Sequence, residues 1–221
     1  ISQDSIARAA CGTDSGSGDQ LIAYTACRTQ AINDYQSQNN CVGTPLYLYG
    51  TPGINVAVSF HTPTFNTNVP LVDNKFKAVL SQNGEFQVGN TTYQSVTYDY
   101  TPAVPIIKPP RYGYLVANKS VKKTVRDIAK QFGFNEKETN DIIRDISAKI
   151  SSPYAFISFY DQQTSHAILP ITFNPKPDVY RNIVFYVKNL DQKPNYSIQA
   201  PQIEKINRYG FTAIEISHIA E

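Results

Sequence analysis

The sequence has no methionine and no tryptophan, and only three cysteines and three histidines. Without Met, residue 1 is not a translation start, which a removed leader peptide explains as well as a chain trimmed at its start does. His61, His166 and His218 form no H-x-H, H-x-x-x-H or H-E-x-x-H arrangement, and no C-x-x-C pair occurs. The spacing of a metal site is therefore missing, and no metal or other cofactor is expected. Phosphate cradles are missing too, since neither G-x-x-x-x-G-K-[ST] nor G-x-G-x-x-G is present. No stretch approaches the roughly 20 apolar residues of a helical membrane span. Nor does one sign of charge dominate: 20 basic residues face 18 acidic ones. That balance removes the electrostatic case for nucleic acid as a partner.

What is present points outward from the cytosol. Charged residues make up only 17%, whereas tyrosine alone contributes 15 residues alongside abundant Asn, Gln, Ser and Thr. This balance is commoner in exported β-proteins, so a secreted or cell-surface location is expected. Asn90, Asn118 and Asn195 begin permitted N-glycan sequons. Cys11, Cys27 and Cys41 cluster near the N-terminus. In an oxidising compartment Cys27 and Cys41 are the expected disulfide pair, leaving Cys11 free or bridging to another chain. The alternative is three reduced thiols, with Cys27 packed on a helix face.

Residues 1–18 end in a Gly/Ser stretch and read as an arm. From Asp19, Leu21, Tyr24, Cys27, Ala31 and Tyr35 recur at steps of three and four, which predicts an N-terminal helix to about Gln36. Residues 1–40 are thus an arm and helix, followed by a β-rich domain over 41–221. Alternation at Leu46-Tyr47-Leu48-Tyr49 and at Ile54, Val56, Val58 and Phe60 predicts half-wet antiparallel strands. Further strands are expected near 75–80, 85–88 and 92–100, the first two joined by an Asn83-Gly84 turn. Pro102, Pro105, Pro109 and Pro110 make 101–110 a candidate subdivision of that domain.

Beyond the prolines, a strand at 112–117 precedes an apolar stripe at Val121, Val125, Ile128, Ala129 and Phe132, with Ser120 to cap it and Gly133 to end it. Asn135 and Glu138 suit a capping-box start for a second stripe at Ile142, Ile143, Ile146 and Ile150. Strands then return at 154–160, 167–173, 180–190 and 209–216, with Asn174–Asp178 as a rigid turn. The fold class is α+β: mainly antiparallel, sandwich-like sheet, a helical hairpin packed on it, and the N-terminal helix.

Several segments together resemble a family of uncharacterised conserved hypothetical proteins from bacteria and some unicellular eukaryotes. Its members read "KPVIYLYP", "GWVV", "LGLNEKEINDFI", "PKPDT" and "RKGFTVVEWGG" in that order. The matching stretches here are Gly43–Gly50, Tyr112–Val116, Phe132–Ile143, Pro175–Asp178 and Tyr209–Ile216. The resemblance implies that both sides of the proline-rich stretch belong to one unit, and it implies no activity. The tryptophans that members carry after the helix motif and in "VVEW" are missing here.

Candidate chemistry is sparse. Asp161, Ser165 and His166 share one segment, but adjacent Ser and His point apart on an extended backbone and the G-x-S-x-G elbow is missing, so a polar hairpin loop is expected there. Asp73 and Asp99 with Glu85, or Asp178 with Glu215, are conceivable glycosidase-type carboxylate pairs, a role decided by separation in space. If Leu46 and Leu48 face the core, Tyr47 and Tyr49 face outward, and Tyr98 and Tyr100 share a face. Exposed tyrosine rows of this kind suit contact with protein or glycan; the alternative is a strand covered on both sides. No catalytic residue is assigned. The expectation is an exported, non-enzymatic surface or structural protein that contacts itself, envelope components or glycans, self-assembly included. The alternative is a secreted glycan hydrolase with a carboxylate pair.

Overall fold

Alternation over residues 44–104 becomes seven strands: β1 (Thr44–Tyr49), β2 (Asn55–Phe60), β3 (Thr64–Phe65), β4 (Lys75–Leu80), β5 (Phe86–Val88), β6 (Thr91–Tyr93) and β7 (Val96–Tyr100). After the proline-rich stretch come β8 (Tyr114–Ala117), α1 (Val121–Phe132), α2 (Glu136–Lys149), β9 (Tyr154–Phe159), α3 (Gln162–Ile168), β10 (Ile171–Asn174), β11 (Val179–Leu190) and β12 (Thr212–Ala220). The computed structural model describes Cys11, Cys27, Arg28 and residues 44–104, 108–195 and 197–221. The predicted arm and the predicted helix over 19–36 lie outside the described residues apart from Cys11, Cys27 and Arg28. A disulfide joins Cys11 to Cys27. This corrects the expected Cys27–Cys41 pairing; Cys41 lies outside the described residues.

The chain is α+β, with two sheets in a sandwich-like arrangement. One sheet has the order β3-β7-β1-β12-β11-β9-β8, the other β10-β2-β4-β5-β6. The strands on either side of the proline-rich stretch, β7 and β8, belong to the same sheet. Among the described strands only β11 and β12 run parallel, with Asn182 beside Glu215 and Val184 beside Ser217. A parallel neighbour needs a crossover; here it is the long connection from Leu190 to Thr212.

Two cores result, one on each face of the seven-stranded sheet. Leu46, Leu48, Val184, Tyr186 and Ala213 face the second sheet and pack with Val58, Phe76 and Phe86. Tyr47, Ile183, Phe185, Ile214 and Ile216 face the helices and pack with Val125, Ile128 and Ile142. The half-wet expectation is thus corrected for β1, which carries apolar and aromatic side chains on both faces because helices cover one and strands the other; β2 alternates as expected.

The helical hairpin forms where its periodicity places it. Val121, Val125, Ile128, Ala129 and Phe132 are buried, and Gly133 ends α1 in the left-handed region at φ 78°. Ser120 occupies the N-cap position without a side-chain cap bond. Asn135 and Glu138 form the full capping box of α2. At 162–168 the expected hairpin loop is instead the short α3, because the Asp161 carboxylate accepts the Thr164 N–H at 2.7 Å and nucleates a turn that buries Ser165 and Ile168.

One tight corner sets the entry into β12. Asp178 accepts the backbone N–H of Phe211 at 2.8 Å. Gly210 sits at φ 55°, where a Cβ would collide with that carboxylate. Gly210→Ala is expected to cost about 1–3 kcal/mol, combining left-handed strain with loss of the Asp178 bond. Urea denaturation measures it, and an unchanged midpoint would show that the corner has slack.

Candidate functional site

The densest cluster of titratable groups lies between α2 and β1. Helical spacing places Glu138, Asp141 and Asp145 on the sheet-facing side of α2 together with Ile142 and Ile146, and all five are buried. Alternation places Tyr47 and Tyr49 on the opposing face. Tyr47 Oη donates to Asp141 Oδ2 and Tyr49 Oη to Glu138 Oε1, each at 2.6 Å. Asp141 also accepts from Lys137 at 2.9 Å and Arg144 at 2.8 Å. From the crossover, Arg208 grips both oxygens of Glu138 at 2.9 and 2.5 Å, donates to the Gly133 carbonyl at 3.1 Å, and lies 5.1 Å from the centre of the Tyr49 ring. This bidentate, charge-assisted geometry is the strong form of an ion pair.

Burial, and then the neighbouring Asp141 carboxylate, push the Tyr47 hydroxyl far above its usual range. Burial followed by Glu138 does the same to Tyr49. Desolvation works against the Arg208 charge, but its hydrogen bonds to Glu138 outweigh this and its pKa is raised. Both tyrosines therefore stay neutral donors. The oxygens of Glu138 and Asp141 are filled from within the protein, so the cluster ties helix to sheet and offers no free nucleophile or base. One turn on, Asp145 is different: neither carboxyl oxygen has a partner, and burial pushes its pKa up to about 8. On β12, burial followed by Lys149 lowers His218 to about 4, and its Nδ1 lacks a partner.

A second polar cluster lies between the two sheets. Tyr98 Oη donates to Glu215 Oε1 at 3.2 Å, and Tyr100 Oη to Ser217 Oγ at 3.4 Å. Glu215 is fully buried, Oε2 has no partner, and burial drives its pKa well upward. Asn182, its register neighbour on β11, has an unpartnered Oδ1.

The exposed-row reading is corrected for both tyrosine pairs, and the doubly covered strand held as its alternative is what forms; Tyr98 and Tyr100 do share a face, toward Glu215 and Ser217. Tyr47 and Tyr98 are 0% exposed, and Tyr49 and Tyr100 are partly buried with their hydroxyls turned onto protein groups. Among the described residues the exposed tyrosines are Tyr112 and Tyr209, at 53% and 65%. The sequence pattern placed both at the start of strands, at 112–117 and 209–216, whereas β8 begins at Tyr114 and β12 at Thr212, which leaves the two rings outside the sheet.

The suggested carboxylate sets are put to local structural use. Asp178 is exposed at the Phe211 corner while Glu215 is sealed inside. Asp99 accepts from Asn66, Glu85 accepts from Gln94, and Asp73 occupies a positive-φ turn. Asp161 caps α3, the buried Ser165 Oγ accepts from Val184 N–H at 3.2 Å, and His166 is exposed, so the three form no relay. Asn90, Asn118 and Asn195 are all exposed, with Asn118 Nδ2 donating to the Ser152 carbonyl at 2.9 Å.

Two open clefts flank the free end of the seven-stranded sheet. β8 is its edge and pairs only with β9. A groove of about 820 Å³ runs along β8, bordered by Lys193, Asn195, Ser120 and Thr124. Next to it is a cleft of about 530 Å³ with Phe156 and Tyr186 in its lining, walled by the segments that carry Arg111 with Tyr112 and Ser197 with Gln199. The walls approach because Gly113 lies flat against the Phe156 ring, where any Cβ would clash, and because Gly113 N–H reaches the Gln199 carbonyl at 2.9 Å. Among the described residues no acidic side chain lines either cleft.

Among the described residues no group of three or more His, Cys, Asp or Glu is placed to hold a metal, and no helix is long and apolar enough to cross a membrane. The chain matches no protein-family model, and neither curated proteins nor solved structures show a significant similarity to it.

Proposed function

We propose that this chain is an exported, non-enzymatic protein that works through its outer surface, as an adhesin-like, envelope or self-assembling subunit. The observation that carries the reading is the disposition of charge. The convergent carboxylates are locked between layers by Arg208, Lys137, Arg144 and tyrosine hydroxyls. The open clefts present cations, aromatic rings and neutral polar groups. A glycan hydrolase needs two carboxyls roughly 5 to 10 Å apart around an accessible bond. The lining of these clefts supplies none, which weighs against that alternative. The Cys11–Cys27 disulfide supports a secreted or cell-surface location, because such bonds persist in oxidising compartments. Open strand edges at β8, β3, β6 and β10 support self-association, since unpaired backbone groups template further strands.

The proposal includes kinship with the uncharacterised family that the sequence resembles. Segments carrying that resemblance meet in one place: Tyr49, Asn135 and Glu138 bond one another, and Asp178 bonds Phe211. Sedimentation velocity and negative-stain microscopy of native material test the functional reading. Oligomers, filaments or a coated cell surface are expected. A strict monomer confined to the cytosol and bound to no surface would sink it.

A further inference from the structure

We propose that the cleft between the Pro109–Tyr112 segment and residues 197–199 binds an acidic saccharide, its carboxylate on Arg111 and Lys188 and its ring against Tyr112. The inference rests on the surface-acting reading and names a ligand class for it. The volume of about 530 Å³ lies within the range of about 300–1,000 Å³ typical of small-ligand sites.

The floor comes from the doubly covered sheet. Phe156 on β9 and Tyr186, Lys188 and Leu190 on β11 share the face that looks away from the helices. The five-stranded sheet is two strands narrower than its partner, and at this end coil segments form the walls. The floor is therefore aromatic and apolar, whereas the rim is polar.

Three features select the ligand. The first is charge. Arg111 is exposed and, among the described residues, makes no ion pair or hydrogen bond; its planar guanidinium is shaped for a carboxylate. Lys188 already contacts one carboxylate, that of Glu221 at 3.4 Å, which also accepts the Tyr186 hydroxyl at 2.7 Å. The chain's own carboxylate thus already engages one of the two cations proposed to recruit a ligand carboxylate, Lys188.

The second feature is the half-exposed Tyr112 ring at the wall, an amphipathic surface that the apolar face of a pyranose can cover. Gln199 and Ser197 in the same lining supply neutral donors and acceptors for hydroxyls. The third is what the floor lacks. It presents side chains and not a strand edge, so an extended acidic peptide would find no main-chain ladder here; the open edge belongs to the neighbouring β8 groove.

The test titrates the full chain by calorimetry with a uronic-acid tetrasaccharide, a neutral glucose tetrasaccharide and an acidic tetrapeptide, in salt of about 0.15 M so that diffuse attraction is screened. Saturable binding of the uronate is expected, with the neutral sugar and the peptide each weaker by about tenfold or more, and with Arg111→Ala and Tyr112→Ala each weakening the uronate about tenfold. Both side chains are exposed, so an unchanged thermal midpoint accompanies the loss. Absence of saturable uronate binding, equal affinity for the peptide, or indifference to both substitutions overturns the site. Reducing ends are measured in the same samples. Uronate cleavage with substitution-sensitive binding upholds the site while removing the non-enzymatic reading, and absent binding beside intact assembly removes the site alone.

Discussion

Replacing Arg208 by alanine is expected to lower the unfolding free energy by about 3 kcal/mol, the lower end of what is seen when one partner of a buried ion pair is removed. Glu138 is 0% exposed, and Arg208 is its only cationic partner among the described residues, bonded to both carboxylate oxygens. Without Arg208 the anion keeps only Tyr49 and the Asn135 N–H, and the Gly133 carbonyl loses a donor. Arg208 itself is a quarter exposed, which keeps the loss from the top of the range. Glu138→Gln in the Arg208→Ala background should recover part of it, because the stranded charge disappears while the helix cap keeps an acceptor. Urea denaturation of the single and double variants measures the coupling. A loss below about 1 kcal/mol would place the pair with ordinary surface ion pairs and would remove the lock between helix and sheet.

Asp145→Asn should stabilise the protein, and by an amount set by pH. Burial raises the Asp145 pKa from 3.8 to about 8; Arg144 and Lys149 lower it, and Asp141 raises it. Across the interface, His218 on β12 is itself lowered to about 4 by burial and Lys149. Below about pH 4 the carboxyl is neutral in both folded and unfolded chains, and the substitution should change little. Above that, the unfolded chain releases the proton and the folded one retains it. Stability then falls by about 1.4 kcal/mol per pH unit until the folded group ionises near pH 8. Asparagine removes this slope, so the advantage of the variant grows to about 4 kcal/mol near pH 7, an order-of-magnitude figure from the same relation. Denaturation at pH 4, 5.5 and 7 provides the measurement. Parallel curves for the two proteins would mean that Asp145 is solvated or paired in solution. Glu215, also raised by burial, contributes a slope of the same sign, but it is common to both proteins and cancels in the difference.

Much of the layering was legible in the residue pattern, and the failures have a common origin. The hairpin of α1 and α2 follows from apolar spacing and from caps that lie within a few residues of the elements they stop. The strands of the outer sheet, such as Lys75–Leu80, alternate cleanly because one side is wet. At Leu46–Tyr49 the same alternation misled. Tyrosine next to leucine reads as a wet face, whereas here its hydroxyl is accommodated by Asp141 or Glu138, which lie 94 and 89 residues away in sequence.

A usable signal for that site was present. Glu138, Asp141 and Asp145 recur at helical spacing on the very stripe occupied by Ile142 and Ile146, which forecasts carboxylates pointing into a core in need of donors. Arg208 carried no such mark. It stands in a coil connection, and its role is fixed by the path of the crossover and by no local periodicity. The Cys11–Cys27 pairing was likewise beyond spacing arguments, since three cysteines permit three pairs.

The position of β12 has a consequence for biogenesis. It lies between β1 and β11, so the ribbon β3-β7-β1 and the ribbon β11-β9-β8 have no strand in common until it arrives. A nascent chain shorter than about residue 212 therefore holds two separate half-sheets, each with a bare inner edge. Chaperone dependence should concentrate in that interval of synthesis, and it should end abruptly once the last strand slides in and turns two sticky borders into the middle of one sheet.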